Sequence, residues 1–226
     1  MRRVTYYEHH TGKLSQPLTL AVVSDLHNEE YEDIFPLIKG ADALLVPGDI
    51  SDRYRQEWDR GIAFLRDAAR RLPTFYSLGN HEVKQEKYAR IKQELYHTGA
   101  EILINRHVRF GEVCIGGWYN PDKVKEPERL SALERESGVK ILLCHQPEAY
   151  WKRMRSRDLD LVISGHAHGG QIRILGQGLY SPGQGILPRL TRGVVDERMI
   201  ISAGAGNPAH MPRWGNPCEV LLIRVD

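Results

Sequence analysis

The chain has 226 residues, of which 41% are hydrophobic and 27% are charged, as is ordinary for a folded globular protein. Its 31 Lys and Arg residues against 29 Asp and Glu residues leave a formal net charge of +2, which gives no overall attraction to nucleic acid or to an anionic membrane. The three cysteines form no CxxC pair, so we expect buried free thiols and neither a disulfide framework nor a thiolate zinc site.

Apolar, β-branched runs alternate with amphipathic stretches along the chain. Continuous apolar runs are typical of strands that are buried on both faces. Five such runs are Leu18–Ser24, 42–46, Thr74–Leu78, Ile141–Cys144 and Leu159–Ser164. Apolar residues at three- and four-residue steps predict helices between them, over Glu57–Leu72, Lys84–His97 and Pro147–Arg157. This alternation predicts an α/β core.

Shorter and more closely spaced apolar segments predict a second sheet. The segments at 101–104, 107–110 and 113–117 have hairpin-like spacing. Together with 171–174, 199–203 and 220–224, they predict a mixed sheet packed on the first. The Gly- and Pro-rich stretch 165–188 lies between strands, so we interpret it as functional loops. We therefore expect one domain over residues 1–226.

Side chains that can bind metals follow each of the five predicted buried strands. In chain order these are Asp25 and His27, Asp49, Asn80, His145, and then His166 and His168. The carboxyl edge of an open α/β sheet is where ligands bind. Five of the ten histidines follow these five strands, because His81 comes directly after Asn80. The clustering therefore indicates a site at the sheet edge.

The residue types at the strand ends indicate a metal site built from oxygen and nitrogen ligands. Such a set suits Mn²⁺, Fe²⁺ or Fe³⁺, Zn²⁺ or Ni²⁺ with open positions, and differs from a closed structural zinc site. Seven candidate ligands are more than one ion needs, whereas two ions that share a carboxylate need about this number. Two ions about 3.5–4 Å apart can clamp the attacking and leaving oxygens of a displacement at phosphorus.

The spacing of these residues supports a shared centre. Side chains two residues apart in an extended chain point the same way, as in Asp25-Leu-His27 and His166-Ala-His168. The glycines Gly48, Gly79 and Gly165 each directly precede a candidate ligand, where we expect the chain to turn sharply off its strand.

The ordered motifs DxH, GDxxD, GNHE, a single His after a strand, and GHxH resemble the signature of the calcineurin-like metallophosphoesterases. They extend from Asp25 to His168. The resemblance implies a four-layer α/β sandwich, in which two packed mixed sheets are flanked by helices. It also implies that Asp25, His27, Asp49 and His168 hold one metal ion and that Asp49, Asn80, His145 and His166 hold the other. His81 then corresponds to the histidine of the family that is not a ligand and lies beside the scissile phosphate.

The resemblance extends to a bacterial branch through the segments SPGQGILP and MPRWGNPCEVLLI. Members of that branch cleave phosphodiester or pyrophosphate bonds in nucleotide- or lipid-linked substrates. The implied mechanism is attack of a hydroxide that bridges the two metal ions, with His81 acting on the leaving oxygen. The alternatives are a phosphomonoesterase or protein phosphatase, and a metal-binding scaffold of the same fold that does not catalyse a reaction.

Three further residues have weaker motif support. Asp52 could accept a hydrogen bond from a ligand histidine, or act as a helix cap or in a loop salt bridge. Arg53 could reach a substrate phosphate, or be an exposed loop residue. His210 lies in a candidate substrate loop.

The remaining expectations concern partners and location. A phosphoester substrate is expected, and no nucleic-acid or protein partner is indicated. The basic run Trp151–Arg157 could touch phospholipid head groups, or be a solvated helix face. Two N-terminal arginines precede no apolar segment, and no apolar run reaches 18 residues. We therefore expect a cytoplasmic chain without a signal peptide or a transmembrane segment.

Overall fold

The computed structural model describes residues 2–119, 127–207 and 212–226. The strands are β1 (Arg3–His9), β2 (Leu18–Val22), β3 (Ala43–Val46), β4 (Thr74–Tyr76), β5 (Glu101–Ile102), β6 (Arg106–Phe110), β7 (Val113–Trp118), β8 (Val139–Cys144), β9 (Leu161–Ser164), β10 (Arg173–Ile174), β11 (Gln177–Gly178), β12 (Tyr180–Ser181), β13 (Gly185–Ile186), β14 (Gly193–Val195), β15 (Met199–Ile201) and β16 (Glu219–Val225). The helices are α1 (Ile34–Leu37), α2 (Asp59–Ala69), α3 (Asn80–Val83), α4 (Tyr88–Tyr96), α5 (Pro127–Glu134) and α6 (Pro147–Arg153).

The strands form two six-stranded mixed sheets, as predicted. The first has the order β1-β16-β2-β3-β4-β5, and the second has the order β14-β15-β9-β8-β7-β6. The four parallel strands β2 to β5 make up one side of the first sheet, and β7, β8, β9 and β15 run parallel at the centre of the second. Two small hairpins, β10–β11 and β12–β13, stand apart from both sheets.

Several strands belong to a different sheet from the one expected. The segments Ile141–Cys144 and Leu159–Ser164 lie in the second sheet, whereas β5 and the C-terminal β16 lie in the first. Residues 173–174 pair only within the small β10–β11 hairpin. The sheet that a strand joins depends on pairing between segments that are distant in the sequence. The C-terminal β16, for example, inserts between β1 and β2, which lie near the start of the chain.

Alternation of apolar side chains builds the four layers. Along β2, Leu20 and Val22 belong to a buried cluster that also contains Ile141 and Leu143 from the second sheet. The intervening Ala21 faces the other way, into a cluster with residues of α2 and α4. A third cluster packs α5 and α6 against the outer face of the second sheet. The order of layers is therefore helices, sheet, sheet and helices.

The predicted helices are confirmed, with shorter bounds. The segment Glu57–Leu72 forms α2, and Pro147–Arg157 contains α6. Lys84–His97 contains α4, and the separate single turn α3 precedes it. In the part of the chain that the structure describes, no helix is long and apolar enough to cross a membrane. No disulfide bond joins the three cysteines; Cys114 and Cys144 are buried, and Cys218 is partly exposed.

Candidate metal centre

The predicted metal-binding side chains meet at one place where the carboxyl ends of strands from both sheets face each other. The first sheet supplies four of them: Asp25 and His27 after β2, Asp49 after β3, and Asn80 at the start of α3 after β4. The second sheet supplies three: His145 after β8, and His166 and His168 after β9. All seven are at least 93% buried, so they face the protein interior and not bulk solvent.

One group of potential ligands contains Asp25, His27 and His168. The Asp25 Oδ1 atom lies 3.8 Å from His27 Nε2 and 3.7 Å from His168 Nε2, and the two Nε2 atoms are 3.2 Å apart. The point equidistant from these three atoms lies about 2.1 Å from each, which is the usual length of a Zn–N or Zn–O bond in proteins. The spacing therefore fits a single ion among the three side chains.

A second group contains Asp49, His145 and His166, whose potential ligand atoms all lie within 4.8 Å of one another. His145 donates from Nδ1 to the carbonyl oxygen of Pro47 at 2.9 Å, which leaves Nε2 facing Asp49 Oδ2, 3.0 Å away. The Asn80 Oδ1 atom is buried and has no hydrogen-bond partner among the described residues. A bound cation would give this oxygen a partner.

The electrostatics suit a cation at both groups. Burial raises the pKa of Asp25 and Asp49, but the facing histidines outweigh that effect and hold both pKa values below normal. Burial lowers the pKa of His166 to about 4 and that of His168 well below its usual value. The Asp49 carboxylate overcomes burial at His145 and raises its pKa to about 9. Near neutral pH the site therefore combines anionic carboxylates with neutral imidazoles at His166 and His168, and a bound cation would replace the proton that His145 carries.

A model of the calcineurin-like phosphoesterase family matches residues 18–170, which include both groups. The chain belongs to this family. Membership in the calcineurin-like phosphoesterases, together with the His and Asp clusters, supports metal-dependent phosphoester hydrolysis. The sequence-based prediction of the superfamily is thereby confirmed.

Several bacterial metallophosphoesterases are similar to this chain. An uncharacterized metallophosphoesterase of Campylobacter jejuni is 29% identical over 94% of this chain and 60% of its own length. The uncharacterized metallophosphoesterase YkoQ of Bacillus subtilis is 31% identical over 92% of this chain and 83% of its own length. The chain spans about three fifths of the Campylobacter jejuni and Helicobacter pylori relatives.

Among solved structures, the sulfate thiohydrolase SoxB of Thermus thermophilus shares the fold. Its TM-score is 0.50 at 15% identity, over 83% of this chain and 52% of that chain. At this identity the likeness extends to the fold alone.

The glycines that precede the ligands have two different roles. Gly48 has φ +107°, a conformation that L side chains rarely adopt, so it makes the sharp turn that the sequence predicts. Gly79 and Gly165 do not have a positive φ, so the chain leaves its strand at these two positions without a left-handed backbone. A Cβ at Gly79 would overlap the Asp49 carboxylate, and one at Gly165 would overlap that of Asp25. These two glycines leave room for the acidic ligands.

Glu82 has a role that the sequence did not reveal. Its buried carboxylate accepts hydrogen bonds from the backbone N–H groups of Asp49 at 3.0 Å, Gly79 at 2.8 Å and Ser51 at 2.9 Å, and from the Ser51 hydroxyl at 2.9 Å. It therefore ties the loop after β3 to the loop after β4. Glu82 is part of the GNHE motif, but two of its partners, Asp49 and Ser51, lie 33 and 31 residues away in the sequence, and only the fold brings them close.

We expect Glu82→Gln to lower the free energy of unfolding by about 3 kcal/mol, because its amide group would face N–H donors that need an acceptor. Urea unfolding of the two proteins measures this difference. Glu86→Gln is the matched control, since Glu86 is exposed, and it should change the free energy by less than about 0.5 kcal/mol. Equal stability of Glu82→Gln and the wild type would contradict this structural role.

His81 lies beside both groups. Its ring centroid is 4.3 Å from that of His27, and one of its ring nitrogens lies within 4.8 Å of the ligand atoms of His27 and Asp49. The backbone N–H of Arg53 donates to His81 Nδ1 at 3.2 Å, so the neutral ring carries its proton on Nε2. Burial lowers the pKa of His81 to about 4. The ring therefore offers one N–H donor at the edge of the metal centre.

The two residues that follow GDxx make mostly local contacts. Asp52 accepts a hydrogen bond from the Tyr54 backbone N–H at 2.9 Å, and its Oδ1 atom lies 4.0 Å from His81 Nδ1. The Arg53 guanidinium donates to the Tyr54 hydroxyl at 2.7 Å and lies over the Tyr54 ring.

Of the other residues that the sequence singled out, His210 lies outside the described residues. In the Trp151–Arg157 run, Arg155 is paired with Asp196.

Arg213 is a residue near the centre that the sequence did not single out. Its guanidinium lies 3.2 Å from His168 Nδ1 and donates to the carbonyl oxygen of Ala203. Glu219 is also buried, and it accepts hydrogen bonds from the Ala203 N–H at 2.8 Å and from Arg192 at 2.6 Å. Glu219 thus holds the loop that packs against Asp25 and His168.

Proposed function

We propose that the centre binds two metal ions and hydrolyses a phosphodiester or pyrophosphate bond. Asp25, His27, Asp49 and His168 would hold one ion, and Asp49, Asn80, His145 and His166 would hold the other. The observation that carries this proposal is the position of Asp49, whose carboxylate groups with His27 and His81 on one side and with His145 and His166 on the other. A carboxylate in that position can be shared by two ions.

The bound ions would supply activation of a water molecule and neutralise charge on the phosphoryl oxygens. The protein's own contribution is to hold the ligands in place. His27 donates from Nδ1 to the Ser51 carbonyl oxygen at 3.2 Å, and His145 donates to that of Pro47, so both rings are fixed with Nε2 facing the centre. The Nε2–H group of His81 would donate a hydrogen bond to the leaving oxygen and stabilise the charge that develops on it.

The preference for diesters and pyrophosphates rests on the resemblance to the bacterial branch. A monoester is the competing substrate class, and assays with aryl phosphates distinguish the two. Turnover of a bis-aryl phosphate above that of the mono-aryl phosphate supports the proposal. The opposite ratio would favour a phosphomonoesterase.

Removal of metal is expected to abolish hydrolysis, because the negative charge on the phosphoryl oxygens would then meet Asp25 and Asp49 without compensation. Protein treated with a chelator and then desalted should lose turnover of a bis-aryl phosphate at least about 10³-fold, or about 4 kcal/mol in barrier height. Adding back Mn²⁺, Fe²⁺, Zn²⁺ or Ni²⁺ one at a time should restore it and show which ion the site uses.

Metal analysis of the same samples separates an enzyme from the remaining alternative, a scaffold without activity. Two ions bound per chain without turnover of any diester, pyrophosphate or monoester would favour a scaffold that binds metal but does not catalyse a reaction. Turnover that is unchanged after complete removal of metal would contradict the proposal directly.

A further inference from the structure

Two small hairpins and a C-terminal loop beside the metal centre present large apolar side chains to solvent. Leu175 is fully exposed at the tip of the β10–β11 hairpin, and Ile186, Trp214 and Leu187 are 82%, 66% and 60% exposed. Exposed apolar groups clustered in this way mark interaction sites, whereas single ones are ordinary. We call Ile174, Leu175, Tyr180, Ile186, Leu187 and Trp214 the apolar rim.

Two leucines of the apolar rim have an unfavourable backbone conformation. Leu175 has φ +48° and Leu187 has φ +52°. This left-handed region costs most residues other than Gly and Asn about 1–2 kcal/mol. Each therefore combines backbone strain with exposure of an apolar side chain. Asn at these two positions would remove both the backbone strain and the exposed apolar side chain in the isolated protein. The leucines therefore indicate contact with something outside the protein.

Backbone hydrogen bonds connect the segments of the apolar rim to one another and to the metal centre. The Arg173 N–H donates to the Trp214 carbonyl oxygen at 2.8 Å, and the Leu187 N–H donates to that of Leu179 at 2.9 Å. Leu179 in turn donates to the Gly170 carbonyl oxygen at 3.1 Å, within the helical turn that begins at His168. A surface that covers the rim would therefore lie close to the proposed ligands.

Two arginines, Arg173 and Arg189, supply positive charge beside the apolar rim, although the net charge of the chain is only +2. Segment 161–195 contains these two and Arg192 and no Asp or Glu, but Arg192 is paired with the buried Glu219. Arg173 donates to the neutral carbonyl oxygens of Gly169 and Gly176 and keeps its full charge, and Arg189 is exposed. An anionic surface complements this face.

We infer that the apolar rim docks the protein on an anionic lipid surface. Separate hairpin tips with Leu and Ile can insert below the head groups, while Trp214 and Tyr180 suit the interface because each combines an apolar ring with a polar atom. The arginines add attraction to acidic lipids. The small, protruding tips fit a deformable lipid layer better than the flat, continuous face of a protein interface.

Vesicle flotation with the full chain in the presence of chelator tests the inference independently of catalysis. The protein should bind vesicles of phosphatidylcholine with about 30% phosphatidylglycerol, and bind pure phosphatidylcholine at least about tenfold more weakly. The double variant Leu175→Asn, Leu187→Asn should bind the anionic vesicles at least about tenfold more weakly while its melting temperature does not fall. Wild-type tryptophan emission should shift to the blue on binding, and Trp214→Phe should lose most of that shift.

Tyr96→Ser is the matched control, because Tyr96 is an exposed aromatic residue on α4, outside the apolar rim, and this variant should bind as the wild type does. Absence of binding to anionic vesicles, or equal binding by the double variant, overturns the inference. Concentration-dependent self-association of the wild type that the double variant lacks also overturns it, because the rim would then be an interface between copies.

Discussion

Replacing Asp49 by Asn is expected to reduce phosphoester hydrolysis about 10³-fold or more and to lower the metal content of the purified protein. The carboxylate of Asp49 is the only one in the group with His145 and His166, and it also groups with His27 and His81. An amide oxygen has no formal charge, so it cannot balance two divalent ions. The loss corresponds to about 4 kcal/mol of transition-state stabilisation.

The Asn variant separates the loss of charge from damage to the fold. Its side-chain oxygen can still accept the hydrogen bond that Asp49 Oδ1 receives from the His81 backbone N–H at 2.7 Å. We therefore expect a folded protein with an unchanged circular dichroism spectrum and with one bound ion or none per chain. Isothermal titration of the metal-free protein with Mn²⁺ gives the affinity and the number of ions.

Asp196→Asn is the control for this variant. Asp196 pairs with Arg155 at the surface, and removal of such a pair costs little. Its activity and metal content should equal those of the wild type. If Asp49→Asn keeps two tightly bound ions and full turnover, Asp49 does not link the two groups and the proposed centre is wrong.

The fold and the metal centre could be predicted where the signal is local. A continuous apolar run marks a buried strand, and the polar residue that ends it stands in the adjacent sequence. Asp25 and His27, for example, follow β2 directly, so their position at the sheet edge needs no knowledge of what pairs with β2. The same holds for His166 and His168 after β9.

What could not be predicted depends on contacts between distant segments. The strand β16 belongs to the first sheet because it pairs with β1 and β2, about 200 residues earlier. Nothing within β16 itself distinguishes that sheet from the other. Glu82 and Arg213 likewise acquire their contacts only when separate loops meet, so the sequence motif alone shows neither role.

The placement of β8 and β9 in the second sheet also changes how the metal centre is built. The sequence suggested five strands of one sheet with a common edge, as in an open α/β fold. In the structure the ligands come from two sheets that pack face to face across a shared apolar cluster. The distance between Asp49 and His145 is thus set by packing of the sheets. Mutations in that cluster should therefore affect the second group of ligands more than Asp25 and His27.

His81→Asn is expected to lower turnover of a dialkyl diester, in which the leaving group is an alkoxide, about 10²–10⁴-fold, the range for a positioned proton donor. Asn retains an oxygen that can accept the Arg53 N–H in place of His81 Nδ1, but it has no group at the position of Nε2. Metal content should stay at the wild-type value, because His81 is not one of the proposed ligands. This outcome differs from that of Asp49→Asn, in which metal and activity fall together.

The leaving group provides the decisive comparison for His81. A nitrophenolate needs little help from a proton donor, so His81→Asn should impair the bis-nitrophenyl ester much less than the ester with an alkoxide leaving group. His97→Asn is the control, since His97 is exposed at the end of α4, and it should be as active as the wild type on both substrates. An equal loss on both esters would place His81 in substrate binding and not in proton transfer. Full activity on both would show that His81 has no part in the reaction.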